Sequence, residues 1–211
     1  MSFVKLCGMT RAVDVRAACE LDIDAVGFVF AESRRRADPE VVAAVVPDIP
    51  PSVSSVAVFR DQPLDDVLAI VAATGVDGVQ LHGSESPAFI DAVREVTDLL
   101  LVALSPNDPR LESIEDLACD AVLLDAVEPG SGSAFDWSTV GDLPTRRRVV
   151  LAGGLRPDSV AEAIAVVRPW GVDVASGVES APGVKDHAAM ARFVDGARRA
   201  LAEYGNDPGP A

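Results

Sequence analysis

Eight short runs rich in β-branched and aliphatic residues recur along the chain, at 3–7, 25–30, 54–59, 77–81, 99–104, 121–126, 148–153 and 171–176. Each is too short for a typical helix and nearly continuous in apolar character, which predicts strands buried on both faces of a sheet. Between the runs, apolar positions return every three or four residues, as in AVDVRAACEL, PLDDVLAIVAAT, PAFIDAVREV, DSVAEAIAVV and DHAAMARFVDGARRAL. That spacing predicts amphipathic helices. The segments after the fifth and sixth runs are less clearly helical. Strands that alternate with helices pair in parallel through crossover connections. Eight units in 211 residues average about 26 residues each, near the lower size limit of a closed (β/α)8 barrel. An open doubly wound sheet would carry Gly-x-Gly-x-x-Gly after its first strand, and no such motif follows Cys7. The pattern predicts an α/β fold: one (β/α)8 barrel domain of parallel strands over residues 1–203, with 204–211 a disordered tail.

The polar exceptions within the apolar runs point to chemistry. In VKLCGMT, Lys5 and Cys7 are two apart and share one face of the strand, with Val4 and Leu6 on the other. Asp173 stands between valines on the eighth run. Closing the barrel sets that strand beside the first, so a Lys5–Asp173 ion pair is expected. Working residues of such barrels lie at the C-terminal ends of strands and in the loops that follow. Cys7 ends the first run, His82 follows the fourth and Asp125 ends the sixth. Gly153 and Gly154 follow the seventh; Ser176 and Gly177 follow the eighth.

A cysteine acts as a base only as thiolate. The Lys5 ammonium would favour that form, and its pairing with Asp173 would partly offset the help. Asp125 falls almost opposite Cys7 across the barrel mouth, where a carboxylic acid can protonate one side of a substrate while Cys7 deprotonates the other. The residues alone also fit a buried cysteine without a task and an aspartate that caps a loop. Adjacent glycines in LAGGLRPDS, with VASGVESAPGVKD beside them, expose backbone N–H groups that can cradle a phosphate. The loop ESRRRADPE offers Arg34, Arg35 and Arg36, any one of which can hold a carboxylate in a bidentate grip. Gln80 and His82 share an inward face and offer neutral hydrogen bonds to a substrate, although His82 also fits a structural role.

Composition narrows the partners. The formal net charge is −15, with acids spread along the chain, which argues against nucleic acid. No apolar run is long enough to span a membrane, and the N-terminus enters a strand without a leader pattern, so a cytoplasmic protein is expected. Cys7, Cys19 and Cys119 show neither a disulfide framework nor metal-ligand spacing. Lys5 and Lys185 are the two lysines among 18 basic residues. An acidic, lysine-poor surface suits concentrated salt, which screens self-repulsion. The melting temperature is accordingly expected to rise between low and molar salt in thermal unfolding scans.

Together the stretches KLCGMT (5–10), DAVGFVF (24–30), VQLHGSES (79–86), LLDA (123–126), GSGSAFDW (130–137), LAGGLRPDSVAEAI (151–164) and GVDVASGVE…PGVKD (171–186) resemble the phosphoribosylanthranilate isomerases of tryptophan biosynthesis. The resemblance covers roughly residues 3–200. It implies a cofactor-free, metal-free Amadori rearrangement of a small anionic phosphosugar, in a monomer or homodimer, with no membrane partner. It further implies Cys7 as general base and Asp125 as general acid. Arg35 would hold the anthranilate carboxylate, and the loops at Gly153, Gly154, Ser176 and Gly177 the phosphate. The related histidine-pathway or bifunctional isomerases resemble it less, because they carry an aspartate at the position of Cys7. A phosphate-binding barrel without catalysis is a further alternative. Ser133 stands where the family commonly has lysine.

Overall fold

The apolar runs form eight strands that close on themselves in the computed structural model, which describes residues 2–125 and 146–209. They are β1 (Phe3–Leu6), β2 (Ala25–Val29), β3 (Ser54–Phe59), β4 (Gly78–Leu81), β5 (Leu99–Leu104), β6 (Ala121–Leu124), β7 (Val149–Leu151) and β8 (Gly171–Val174). All pair in parallel in chain order, and β1 closes the barrel against β8 with Lys5 opposite Asp173. Six α-helices are described: α1 (Ala12–Cys19), α2 (Pro39–Val45), α3 (Leu64–Thr74), α4 (Pro87–Arg94), α5 (Val160–Val167) and α6 (His187–Tyr204). The segment after β5 forms a 3₁₀ run, Pro109–Asp116, kinked at Ser113. Asp108 caps it by accepting from the Arg110 N–H, and Pro109 takes the first helical position. Its apolar spacing is too short to make a full amphipathic helix. The segment after β6, including Ser133, lies outside the described residues.

Two apolar layers hold the barrel. Val4, Leu6, Phe28, Phe59 and Leu100 point outward into a shell that the helices cover, with Met190, Phe193 and Leu201 of α6 among the covering side chains. Phe3, Val56, Leu101, Leu123 and Val150 point inward and fill the lower barrel. Each fully buried side chain of this size contributes roughly 1.5–3 kcal/mol. Phe3 stacks on Trp170 at 5.0 Å, and the Arg148 guanidinium lies 4.7 Å over the same indole. Of the segment expected to be a tail, Tyr204 ends α6, the Asn206 N–H donates to the Pro169 carbonyl (3.2 Å), and Asp207 pairs with Arg148 (3.2 Å). No described helix is long and apolar enough to cross a membrane.

Strand parity sets where the polar residues go. Alternate residues face the interior, so the inward set that begins with Phe3 continues with Lys5 and Cys7. On β4 it runs from Gly78 to Gln80 and His82, on β6 from Leu123 to Asp125, and on β8 from Gly171 to Asp173. The upper barrel is therefore polar although it is buried: Lys5 is 0% exposed, Gln80 2% and Asp173 7%. Gly27 makes room for them. A Cβ there would lie 2.7 Å from the Cys7 sulfur and 3.1 Å from Lys5 Nζ.

Candidate active site

Lys5 is the centre of the interior network. Its Nζ donates to Asp173 Oδ1 at 3.0 Å and to Gln80 Oε1 at 2.9 Å. The Lys5–Asp173 pair expected from barrel closure is thus present. Burial alone would lower the Lys5 pKa, but attraction to Asp173 and then to Cys7 outweighs it and raises the net value. The same burial pushes the Asp173 carboxyl up, against the pull of Lys5.

Cys7 follows β1, is buried, and donates its N–H to the Val174 carbonyl at 2.8 Å. Its thiol is pushed above the ordinary range, because burial outweighs the help of Lys5, while Asp173 works in the same direction as burial. The expectation that Lys5 favours the thiolate is correct in sign for that one neighbour and is reversed by desolvation. Asp125 follows β6, its N–H donating to the Leu104 carbonyl at 3.0 Å. Its Oδ2 lies 3.2 Å from His82 Nε2. Asp125 lines both lobes of the mouth.

One lobe contains Arg35, Asp125, Gly153, Gly154 and Ser176. Of the three arginines after β2, Arg34 and Arg36 are exposed and Arg35 is partly buried. Arg35 crosses over Gly8, where a Cβ would lie 2.8 Å from its Cδ. Its Nε and Nη2 already hold Glu179 Oε1 and Oε2 at 2.8 and 2.9 Å. The opposite edge, Nη1 with the second Nη2 proton, takes no part in that pairing. Gly153 and Gly154 have φ of +85° and +69°, a region that favours glycine. Gly177 sits in a 3₁₀ turn (Ser176–Val178) pressed against the neighbouring loop, where a Cβ would overlap the Leu155 carbonyl oxygen. Gly177→Ala is therefore expected to cost about 2–3 kcal/mol and to raise KM more than it lowers kcat. Thermal unfolding and steady-state kinetics check the two effects.

The other lobe is lined by Arg60, His82, Ser84, Ser105, Arg110 and Asp125, among others. Gln80 does not open onto it: its amide is spent on Lys5 and, through Nε2, on His82 Nδ1 at 3.3 Å.

Two residues of this site were not read from the sequence. Glu179 and Lys185 pair across a small hairpin formed by β9 (Glu179–Ala181) and β10 (Val184–Lys185). Lys185 Nζ donates to the carbonyls of Cys7 (2.6 Å) and Ala175 (2.9 Å) and to Glu179 Oε1 (3.1 Å). It ties the end of β1 to the end of β8. Burial lowers the Lys185 pKa, only partly countered by Glu179. Burial would raise the Glu179 carboxyl, but Arg35 and Lys185 hold it below the usual range. Asp14 anchors the hairpin from below, accepting from the Lys185 N–H (3.3 Å), Arg11 and His187. The one signal in the chain was Lys185 itself, a rare lysine in an arginine-rich protein.

A parallel barrel whose mouth brings a buried thiol, a carboxyl, a guanidinium and two glycine loops together defines a class, the (β/α)8 enzymes that act on small phosphorylated molecules. Within that class the chain belongs to the N-(5'-phosphoribosyl)anthranilate (PRA) isomerase family, which it matches over residues 4–196. The N-(5'-phosphoribosyl)anthranilate isomerase of Geobacter sp. (strain M21) is 43% identical over 205 residues, covering 94% of this chain and 99% of the relative. The crystal structure of the phosphoribosyl anthranilate isomerase from Thermus thermophilus superposes with a TM-score of 0.84 at 39% identity, covering 95% of this chain and 98% of that one. A second structure, a phosphoribosyl anthranilate isomerase in complex with reduced 1-(o-carboxyphenylamino)-1-deoxyribulose 5-phosphate, gives 0.81 at 36% identity, with 94% and 100% covered.

Proposed function

We propose that this barrel performs the Amadori rearrangement of N-(5-phosphoribosyl)anthranilate in tryptophan biosynthesis, with Cys7 as general base and Asp125 as general acid. One observation carries the reading. A single lobe of the mouth holds the free edge of Arg35, the Asp125 carboxyl and the loops of Gly153, Gly154 and Ser176, with Cys7 almost buried at the end of β1. That set matches the three chemical features of the molecule bound in the solved relative: a carboxyphenylamino group, a five-carbon sugar and a phosphate.

The chemistry follows from these placements. Backbone N–H groups of the glycine loops hold the phosphate, and the Nη1/Nη2 edge of Arg35 takes the anthranilate carboxylate. Asp125 gives its proton to the ring oxygen and the C1–O bond breaks. The nitrogen lone pair becomes the C1=N bond of a protonated Schiff base. That cation acidifies the C2 proton, which the Cys7 thiolate removes. The freed pair forms C1=C2, and the C=N pair returns to nitrogen. The resulting enolamine tautomerises to the ketone. Fixing both ends of the sugar places C2 and the ring oxygen against the two groups, which lowers the entropic part of the barrier.

The test is turnover. Phosphoribosylanthranilate generated in situ is followed by its fluorescence, and added enzyme is expected to accelerate the loss in proportion to its concentration. A folded protein that leaves the uncatalysed rate unchanged would sink the proposal.

A further inference from the structure

Gln80 and His82 form a line from the buried Lys5 to Asp125 at the mouth: Lys5 Nζ to Gln80 Oε1 at 2.9 Å, Gln80 Nε2 to His82 Nδ1 at 3.3 Å, His82 Nε2 to Asp125 Oδ2 at 3.2 Å. From this line we infer that Lys5, acting through Gln80, sets the tautomer of His82 and so keeps the proton on Nε2, the nitrogen that faces Asp125. Gln80 is then a positioning residue for the general acid. The inference rests on the proposed role of Asp125 only in its last step.

The argument uses what each group is able to do. An ammonium donates and never accepts, so the atom of Gln80 facing Lys5 must be its oxygen. This holds whichever way round the amide is drawn. The amide nitrogen therefore faces His82, and it only donates. A protonated Nδ1 would set two donors against each other, so Nδ1 must carry the lone pair and the proton must sit on Nε2. Gln80 is 2% exposed and Lys5 is fully buried, so bulk water does not compete for the hydrogen bond between them. Lys5 is itself held in place by Asp173 from the neighbouring strand.

Asp125 is the beneficiary. With its proton on Nε2, the imidazole turns an N–H donor side towards Oδ2, 3.2 Å away, and does not compete for the carboxyl proton. Once the proton has gone to the substrate, the same N–H becomes a charge-assisted bond to the carboxylate and stabilises it. The opposite tautomer would present a lone pair at Nε2. It would draw the proton to Oδ2, towards the imidazole and away from the sugar. The histidine tautomer thus decides whether Nε2 supports the Asp125 carboxylate or competes for its proton.

The chain has two histidines, His82 and His187, so the imidazole nitrogens of uniformly 15N-labelled protein resolve into two sets by long-range proton–nitrogen correlation. At neutral pH, His82 of the wild type is expected to show a protonated Nε2 and an unprotonated Nδ1. Gln80→Glu keeps an acceptor for Lys5 but turns the other end into an acceptor too, so Nδ1 is expected to become protonated. In the same variant kcat should fall about 100-fold with KM changed little, the signature of a lost acid function. A protonated Nδ1 in the wild type, which requires no variant to fold, would overturn the inference. So would an unchanged His82 pattern in folded Gln80→Glu. The expected tautomer switch with kcat unaffected would overturn the coupling to Asp125. The tautomer is read without substrate, so a wild type that fails to turn over would count against the proposed function and not against the Lys5–Gln80–His82 line.

Discussion

Cys7→Ser is expected to lower kcat by about 10²–10⁴-fold, the range assigned to a positioned acid or base, while the melting temperature stays near wild type. The swap preserves volume to within the difference between sulfur and oxygen, and the backbone bond from Cys7 N–H to the Val174 carbonyl is untouched. What it removes is an ionisable group. A serine hydroxyl at this buried place has no accessible alkoxide, and Lys5, already committed to Asp173 and Gln80, does not supply one. The thiol adds a second signature. Its pKa is raised because burial outweighs Lys5, so at neutral pH the thiol form dominates. The thiolate fraction, and any rate that depends on it, then rises about tenfold per pH unit until the pKa is reached. Alkylation by iodoacetamide, followed against pH with Cys19 and Cys119 replaced, reports that fraction directly. A serine variant that turns over near the wild-type rate would remove Cys7 from the mechanism.

Asp125→Asn is expected to cost as much in kcat, for the complementary reason. The amide keeps an oxygen facing His82 Nε2 and the shape is conserved, so substrate binding and stability should change little. No proton is left to give to the ring oxygen. The expected result is a kcat lowered about 10²–10⁴-fold at nearly constant KM, measured in the fluorescence assay beside a thermal unfolding scan. A variant that loses KM instead of kcat would show that Asp125 binds the substrate and does not protonate it.

Much of this was legible along the chain because a barrel strand is a local, two-residue alternation. Each of the eight barrel strands begins within one residue of its apolar run, and the runs overshoot mainly at the C-terminal ends, where β1 stops at Leu6 and β7 at Leu151. Those extra residues, Cys7 and Ala152 among them, are where pairing gives way to the mouth. Parity put Lys5 with Cys7 on one face and Gln80 with His82 on an inward one, the strand end put Asp125 at the mouth, and barrel closure set Lys5 beside Asp173. The hairpin β9–β10 was not legible. Its strands are three and two residues long, too short for any periodicity, and it read as loop. Helix α2, seven residues opening on Pro39, was likewise too brief to stand out.

The sequence by itself determined the class of fold, the face on which each polar residue lies and the rim where the chemistry gathers. These depend on neighbours one to four positions away. Only the tertiary structure decided that the Cys7 thiol is pushed up, that Arg35 gives one edge to Glu179 and keeps the other, and that Lys185 clasps the end of β1. It also showed that Gln80 spends its amide within the protein. The first turns on burial, and the contacts of Arg35, Lys185 and Gln80 turn on groups 75 to 178 residues apart brought within about 3 Å. Electrostatic and hydrogen-bond energies depend on that last ångström and on the exclusion of water, and neither is written in the order of the residues.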